Sequence, residues 1–309
     1  MNMDMIWGVP YLDRNKNTMF MRLHPFVNVI YFIVLMLFTM FYQHPVLLGI
    51  TGAAAFAYSI YMKGIKQLKR NLLLVPMMFL LSFVNPLFNH RGATILFYLN
   101  HNPITLESIL YGFVAAAMIY DMIVLFSIFH EVMTSDKIIC VLSKVMPIGA
   151  LLFTMTLRFV PMYKAQLVKM RTAQKGIGHD SSQGNVLQKI LNGVELVSGL
   201  ITWALENALD TADSMKGRGF GLTGRTYYTS MKLTKLDLQV LIFEGFCTVC
   251  LLWGVVRKAF KVIYFPTIEW YGSGEIPVFF YLVFAAFAIF PIVLDAKEEL
   301  TWNYWRQKI

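Results

Sequence analysis

The chain has 309 residues, of which 57% are hydrophobic and 15% are charged, and its mean hydropathy is +0.56. This composition excludes an ordinary soluble globular domain and is typical of a protein that resides in a lipid bilayer. The excess of 27 Lys and Arg residues over 18 Asp and Glu residues gives a net charge of +9. Nucleic-acid binding, anionic lipid contact and cytoplasmic membrane loops each produce such an excess. Three cysteines are too few for a disulfide framework.

Six apolar segments approach the length of a membrane-spanning helix, which needs roughly 20 residues to cross a hydrocarbon layer about 30 Å thick. In chain order they are Pro25 to Tyr42, Pro45 to Met62, Leu72 to Phe88, Leu106 to Phe129, Leu236 to Val256 and Pro277 to Leu294. The first three segments are short, so a re-entrant or tilted element is an alternative among them, and Pro76 and Pro86 inside the third favour it there. The residues before Pro25 are polar, and no cleavable signal peptide is expected. The predicted fold class is an all-α integral membrane protein with about six transmembrane helices.

Basic residues predict the orientation, because loops retained in the cytoplasm carry the excess of Lys and Arg. A topology with a cytoplasmic N-terminus and six spans places all but four of the basic residues inside, the exceptions being Arg91, Arg257, Lys258 and Lys261. Since topology accounts for the charge distribution, no nucleic-acid partner is expected. The predicted organisation is a membrane part at 1–133 with about four spans, a cytoplasmic part at 134–235 and a second membrane part at 236–309 with about two spans.

The cytoplasmic part is too long for a connecting loop and too regular for disorder. Apolar residues recur every three or four positions from Leu187 to Met215, which predicts an amphipathic helix about 30 residues long, or about 45 Å. Four carboxylates in that stretch make a position within lipid unfavourable. An earlier stretch, Ile148 to Gln174, predicts a second long helix with a break at Pro161. Two long helices between the fourth and fifth spans imply a partner that covers them.

Both long helices end in a basic segment that contains glycine. The second ends in Ser214-Met215-Lys216-Gly217-Arg218-Gly219-Phe220-Gly221, and the first ends in Ala173-Gln174-Lys175-Gly176-Ile177-Gly178. Glycine permits the left-handed backbone that terminates a helix, and basic side chains complement the negative C-terminal end of the helix. A functional interpretation adds that Arg218, with glycine on either side, can enter a narrow groove and bind a carboxylate through two hydrogen bonds.

These segments resemble a known family. The runs Thr156-Leu157-Arg158-Phe159-Val160-Pro161, Ala173-Gln174-Lys175-Gly176 and Ala212-Asp213-Ser214-Met215-Lys216-Gly217-Arg218-Gly219-Phe220 are similar to the T components of energy-coupling factor transporters, a group that includes the cobalt-transport CbiQ proteins. In that family two Ala-Arg-Gly signatures end the cytoplasmic coupling helices, and each arginine docks in a groove of one ATPase subunit. The second signature matches here, with Gly217 in place of alanine. The first departs, because Gly176-Ile177-Gly178 stands where Ala-Arg-Gly is expected.

The resemblance implies a non-catalytic coupling subunit of an importer in a bacterial or archaeal cell membrane, without a cofactor or metal of its own. Its implied partners are two ABC ATPase subunits and a substrate-binding S component for vitamin or transition-metal uptake, and the substrate is not encoded in this chain. The residues implied to dock the ATPases are Arg218, Gly217, Gly219, Lys216, Lys175, Gly176 and Arg171, with Lys175 or Arg171 replacing the missing arginine. The residues expected to contact the S component are Leu187, Ile190, Val194, Val197 and Ile201.

Two alternatives come from other functional classes. A stand-alone secondary transporter would have interrupted spans that meet at the membrane midplane, and Pro76 and Pro86 indicate one candidate. A membrane-embedded hydrolase would use His130, Glu131 or Asp121, although no second histidine completes a zinc motif. For Asp121 the simpler expectation is a structural carboxylate that bonds to a neighbouring Tyr or Ser.

Overall fold

A computed structural model describes residues 18–99, 102–178, 185–222, 233–270 and 275–306. The polar segment before the first span lies almost wholly outside these ranges. The helices are α1 (Met19–Arg22), α2 (Pro25–Phe41), α3 (Pro45–Lys63), α4 (Ile65–Phe88), α5 (Leu106–Val132), α6 (Ser135–Val145), α7 (Pro147–Gly176), α8 (Val186–Gly217), α9 (Lys235–Val256) and α10 (Glu275–Arg306). Two short antiparallel hairpins join β1 (Ile95–Leu99) to β2 (Asn102–Thr105) and β3 (Val262–Ile263) to β4 (Glu269–Trp270).

The chain divides into two compact units. The first, here called the membrane unit, comprises Met1–Lys137 and Lys232–Ile309, and the second, the arm unit, comprises Ile138–Met231. In the described residues, the membrane unit contains five helices long and apolar enough to cross a bilayer, namely α3, α5, α9 and most of α4 and α10. Helix α2 is apolar but slightly shorter, with 17 residues. The predicted all-α membrane fold is confirmed.

The starts of the spans follow from local capping. Helices α2 and α3 both begin with a His-Pro pair, in which the histidine side chain accepts a hydrogen bond from a backbone N–H of the first turn. The Nδ1 atoms of His24 and His44 lie 3.2 Å from the nitrogens of Phe26 and Val46. Proline suits the first helical position, because its missing N–H has no intrahelical acceptor there. Thr234 starts α9 with a reciprocal hydrogen-bond pair to the third residue of the helix.

Proline does not interrupt α4. The helix is continuous through Pro76 and Pro86, so the re-entrant alternative for the third span is wrong. Pro86 removes the helical donor for the carbonyl of Ser82, and α5 packs against this place so closely that a Cβ at Gly112 would lie 2.6 Å from that carbonyl oxygen. Asn85 also donates to the carbonyl oxygen of Ser108 at 3.0 Å. Tight packing of the neighbouring helix holds the third span together.

Buried carboxylates fasten the helix ends on one face of the membrane unit. Asp295 of α10 accepts hydrogen bonds from the backbone N–H of Phe20 and the hydroxyl of Tyr58, both at 2.9 Å. Asp237 of α9 accepts from the backbone N–H of His24, also at 2.9 Å. The start of α2, the end of α3, the start of α9 and the end of α10 therefore meet on the same face. From the start of α2 to the end of α10, the chain therefore crosses the membrane unit an even number of times.

The opposite face of the membrane unit joins the other helix ends. The Tyr281 hydroxyl of α10 lies 2.9 Å from Nε2 of His44, the residue that starts α3. Tyr264, which follows β3, donates to the carbonyl oxygen of Gln43 at 2.5 Å. The backbone N–H of Ala93 donates to the carbonyl oxygen of Pro266 at 3.1 Å, which ties the two hairpin regions together.

A buried lysine ends the N-terminal part of the membrane unit. The Lys137 ammonium, on the first turn of α6, donates to the carbonyl oxygens of Met21 and Val132, the latter at 2.8 Å. Both acceptors lie at helix C-terminal ends, where a cation is favourable. Burial lowers the pKa of this ammonium to about 8. The start of α6 is thereby fixed to the ends of α1 and α5.

Candidate partner-docking site

The arm unit is built on the antiparallel helices α7 and α8. The ring of Tyr163 packs edge-on against Trp203 with centroids 5.8 Å apart, and the end of the Met170 side chain lies 3.9 Å from where a Cβ would stand on Gly199. Later residues of α7 thus meet earlier residues of α8. Because the helices run in opposite directions, their C-terminal tips lie at opposite ends of the pair. The helices have 30 and 32 residues, which puts the two tips on the order of 40 Å apart.

Helix α7 is a single helix rather than two. It runs unbroken through Pro161, so the predicted break at that residue is wrong. Contacts on both sides of the proline hold it, since Phe159 stacks on Tyr163 with centroids 5.7 Å apart and Tyr163 packs on α8. Proline costs one helical hydrogen bond, a loss that this aromatic packing offsets.

The tip of α8 has a well-defined C-cap. Gly219 has φ +80°, its N–H donates to the carbonyl oxygen of Lys216 at 2.9 Å, and the N–H of Phe220 donates to that of Met215 at 3.0 Å. This pair of bonds is the Schellman motif, which requires a left-handed residue and hence favours glycine. Arg218 occupies the C-cap position immediately before the glycine. Its side chain is exposed.

The tip of α7 repeats this backbone with a different side chain. Ile177 is the C-cap, Gly178 follows with φ +83°, and the N–H of Gly178 donates to the carbonyl oxygen of Lys175 at 3.2 Å. Ile177 is therefore structurally equivalent to Arg218, and its side chain is 74% exposed. At the position where the first signature is expected to have its arginine, the chain has this exposed isoleucine at the very end of the helix. Arg171 and Lys175 are exposed on the last turns before it.

The other predicted docking residues of the second tip are open to solvent. Gly217 and Lys216 are exposed. Lys216 lies 4.0 Å from Asp213, but with both side chains about four-fifths exposed the pair adds little stability. In the described part of the chain, no carboxylate lies within ion-pair distance of Arg218. Its guanidinium is available to an acidic partner.

The predicted S-component residues form one exposed apolar stripe on α8. Leu187, Ile190, Val194, Val197 and Ile201 are each between 48% and 68% exposed. The opposite side of the helix carries the buried Leu196 and the Trp203 that packs on α7. Helix α8 is thus apolar on two sides, only one of which α7 uses. An uncovered apolar face of this length marks a contact surface for protein or lipid.

Two of the residues considered for catalysis, Glu131 and Asp121, have different surroundings. Glu131 forms an ion pair with Lys63 at 2.7 Å. Asp121 is buried, but the expected hydrogen bond from a Tyr or Ser is wrong, because its Oδ2 has no partner among the described residues. Those residues also contain no group of three potential metal ligands. Sequence reasoning missed Asp237 and Asp295, since nothing local distinguishes a carboxylate that caps a distant helix.

A family model described as CbiQ, cobalt transport protein, matches residues 16–228. The chain belongs to this family. The matched region takes in α1 to α8, and the docking segments at both tips lie within it. Family membership agrees with the multi-pass membrane fold described above.

Several relatives of the chain are named as transmembrane proteins of energy-coupling factor transporters. The chain is 32% identical over 95 residues to the energy-coupling factor transporter transmembrane protein EcfT of Lactobacillus helveticus, covering 30% of this chain and 34% of that protein. It is 27% identical over 197 residues to EcfT of Thermosediminibacter oceani, covering 60% and 74%. EcfT of Lactococcus lactis is 32% identical over 108 residues, covering 34% and 41%. The chain therefore spans less than half the length of the Lactobacillus and Lactococcus relatives, and about three quarters of the Thermosediminibacter relative.

Proposed function

We propose that the chain is the transmembrane T subunit of an energy-coupling factor importer, which links two ABC ATPase subunits to a substrate-binding membrane subunit. The observation that carries the proposal is Arg218, an exposed arginine between two glycines at the C-cap of a 32-residue helix, which has no ion pair among the described residues. A guanidinium in this position reaches beyond the helix end without neighbouring side chains that block a groove. The CbiQ family match and the EcfT relatives support the same role.

The proposed orientation has the N-terminus and the arm unit in the cytoplasm. Its support is the excess of basic residues at the helix ends that meet around Asp237 and Asp295, together with the eight basic residues of α7, α8 and their tips. ATPase subunits act in the cytoplasm, so this orientation brings the tips to them.

The arm helices act as levers in the proposed mechanism. Closure of the ATPases around nucleotide displaces the grooves that hold the tips, and packed helices transmit displacement along their axes with little compression. The exposed stripe from Leu187 to Ile201 holds the S component, which then changes its position in the bilayer. The chain itself binds neither ATP nor the transported vitamin or metal, and the ATPases carry out all hydrolysis.

The two tips engage their ATPases differently. Arg218 binds an acidic groove, whereas Ile177 presents an apolar side chain at the equivalent point, with Arg171 or Lys175 supplying the nearest positive charge. Identical grooves would not fit both tips equally. The proposal therefore includes two ATPases that are not identical, or one ATPase sequence bound with unequal strength.

The test replaces Arg218 by glutamate in the tagged chain, co-expressed with the ATPases that co-purify with the unaltered protein. Removing one partner of a desolvated charge pair costs about 2 to 5 kcal/mol, so ATPase recovery is expected to fall at least about 30-fold. Lys189→Glu, an identical change of charge on an exposed residue of α8, is the matched control and should retain the ATPases. Normal ATPase recovery with Arg218→Glu would refute the docking role.

A further inference from the structure

The ends of α7 and α8 enclose a cleft that includes Arg218. It has a volume of about 420 Å³ and is formed by the beginning of α7 and the end of α8. Met155 and Arg158 line it from α7, and Asp210, Ser214 and Arg218 line it from α8. The three α8 residues are spaced by four, so they form one stripe along the helix. The arginine of the second tip is therefore part of a concave surface made by both helices.

Arg158 brings a second guanidinium to this cleft. Its Cζ lies 5.4 Å from the centroid of the Phe159 ring, a distance typical of cation–π contacts. Phe159 stacks on Tyr163, and Tyr163 packs against Trp203 of α8. This aromatic series connects the arginine to the partner helix and restricts its side chain before any partner binds, which lowers the entropy cost of binding.

The charged side chains that line the cleft are exposed, whereas its apolar residues Leu151, Met155 and Met215 are half-buried. Its charged side chains are two arginines and Asp210, a net excess of one positive charge, and none of the three has an ion pair within the described residues. Met155 and Met215 contribute flexible thioether side chains, and Phe220, which is 43% exposed, also lines the cleft. Such a surface complements a short protein segment that carries a carboxylate beside a large apolar side chain.

We infer that Arg158 and Arg218 together form a two-arginine docking cleft, against which the wall of the ATPase groove that receives Arg218 packs an acidic side chain and a neighbouring apolar side chain. This rests on the proposed function and adds to it a second recognition residue, on a different helix, and the chemistry of the ATPase segment. The cleft joins α7 to α8 at the point where force enters the arm. A segment bound there moves both helices together rather than the tip of α8 alone.

The first experiment compares charge variants of α7 in the co-purification assay. Arg158→Glu should reduce recovery of one ATPase at least tenfold, whereas Lys164→Glu, the same change six residues further along α7, should leave it unchanged. Met155→Trp fills the cleft without a change of charge and should also reduce recovery, with size-exclusion profile and thermal unfolding checked against the unaltered chain. Normal recovery with both Arg158→Glu and Met155→Trp, while Arg218→Glu still loses the ATPase, would overturn the cleft and leave the proposed function intact. Normal recovery with Arg218→Glu would instead overturn the proposed function.

The second experiment identifies the bound segment directly. Ser214 is replaced by the photo-crosslinker p-benzoylphenylalanine, and the crosslinked peptide is sequenced by mass spectrometry. The expected product is an ATPase peptide with an Asp or Glu within about one helical turn of a large apolar residue. A crosslink to the S component, to lipid, or to a basic ATPase peptide would contradict the docking cleft.

Discussion

The tips of α7 and α8 have the same backbone and opposite chemistry. Each helix ends with a C-cap residue followed by a left-handed glycine, Gly178 in one and Gly219 in the other. At the C-cap, α7 presents an exposed isoleucine and α8 an exposed arginine. Glycine at the next position fixes how each helix stops, while the C-cap residue is free to vary. At each tip the glycine therefore sets the backbone geometry, and the C-cap residue before it sets the chemistry that a partner meets.

Exchanging the C-cap residues should have the largest effect. Arg218→Ile makes the second tip like the first and should reduce ATPase recovery by about two orders of magnitude, because it leaves the acidic groove without its cation. Ile177→Arg should change recovery far less, and any change should be confined to the ATPase at the first tip. Quantitative mass spectrometry of the two ATPases in each purified complex measures this. A gain of the first ATPase with Ile177→Arg that matches the loss of the second with Arg218→Ile would instead show that the tips bind identical acidic grooves.

A charge in the exposed stripe of α8 should separate the two kinds of partner. Ile201→Glu places a carboxylate at the C-terminal end of the proposed S-component contact and should lower recovery of that subunit at least tenfold, since an unpaired charge must then be desolvated. The ATPases should remain bound, because the tips are unchanged. Thr202→Glu, the adjacent exposed residue outside the stripe, is the control. Loss of the ATPases with retention of the S component would reverse the assignment of surfaces.

Glycine substitutions should separate the effect of the backbone conformation at the tip from the effect of its side chains. Gly219→Ala forces a residue with a Cβ into φ +80° and against Leu222, where the added atom would lie 3.2 Å from Cδ1. The cost is about 1 to 2 kcal/mol, or roughly a five- to thirtyfold loss of ATPase recovery. Gly217→Ala lies in the helix with no atom near the new methyl group and restores the family's alanine, so recovery should be unchanged or slightly higher. Equal effects of the two substitutions would contradict the C-cap explanation.

Neutralising the basic residues near the first tip should have the smallest effect. Lys175→Ala and Arg171→Ala each remove one exposed charge, and exposed pairs contribute up to about 1 kcal/mol, so a twofold to fivefold loss is expected from the residue that replaces the missing arginine. Titration of ATPase recovery at two salt concentrations distinguishes them, since screening weakens only the variant that keeps the contact. A loss as large as that of Arg218→Ile would mean that the first tip depends on charge after all.

Regular, local features were predictable. The ends of α2, α3, α5 and α9 follow the apolar segments to within a few residues, because burial in lipid imposes length and composition on each span separately. Helix α8 was visible in its three- and four-residue spacing and its terminal glycines. The docking and S-component roles of the named residues remain predictions, although their exposure suits those roles.

Proline was the least reliable local signal. Pro76, Pro86 and Pro161 each indicated an interrupted helix, and each lies inside a continuous one. A missing hydrogen bond costs a few kcal/mol, and packing from α5 or α8 offsets it. Those neighbouring helices are distant in the chain, so the low helix propensity of proline does not indicate their presence. The continuity of α4 also removes the broken helix on which a stand-alone secondary transporter depended.

The sequence by itself determined the membrane-spanning segments, the two long helices and the residues at their tips, because each depends on periodicity, length and capping within a short stretch of chain. Only the tertiary structure decided that α7 and α8 run antiparallel, which puts Ile177 and Arg218 at opposite ends and brings Arg158 into a cleft with Arg218. The physical reason is that apolar spacing reveals which face of a helix is buried but not what buries it. Pairing depends on side-chain contacts between residues roughly 30 to 60 positions apart, and a single sequence does not encode those contacts in any local pattern.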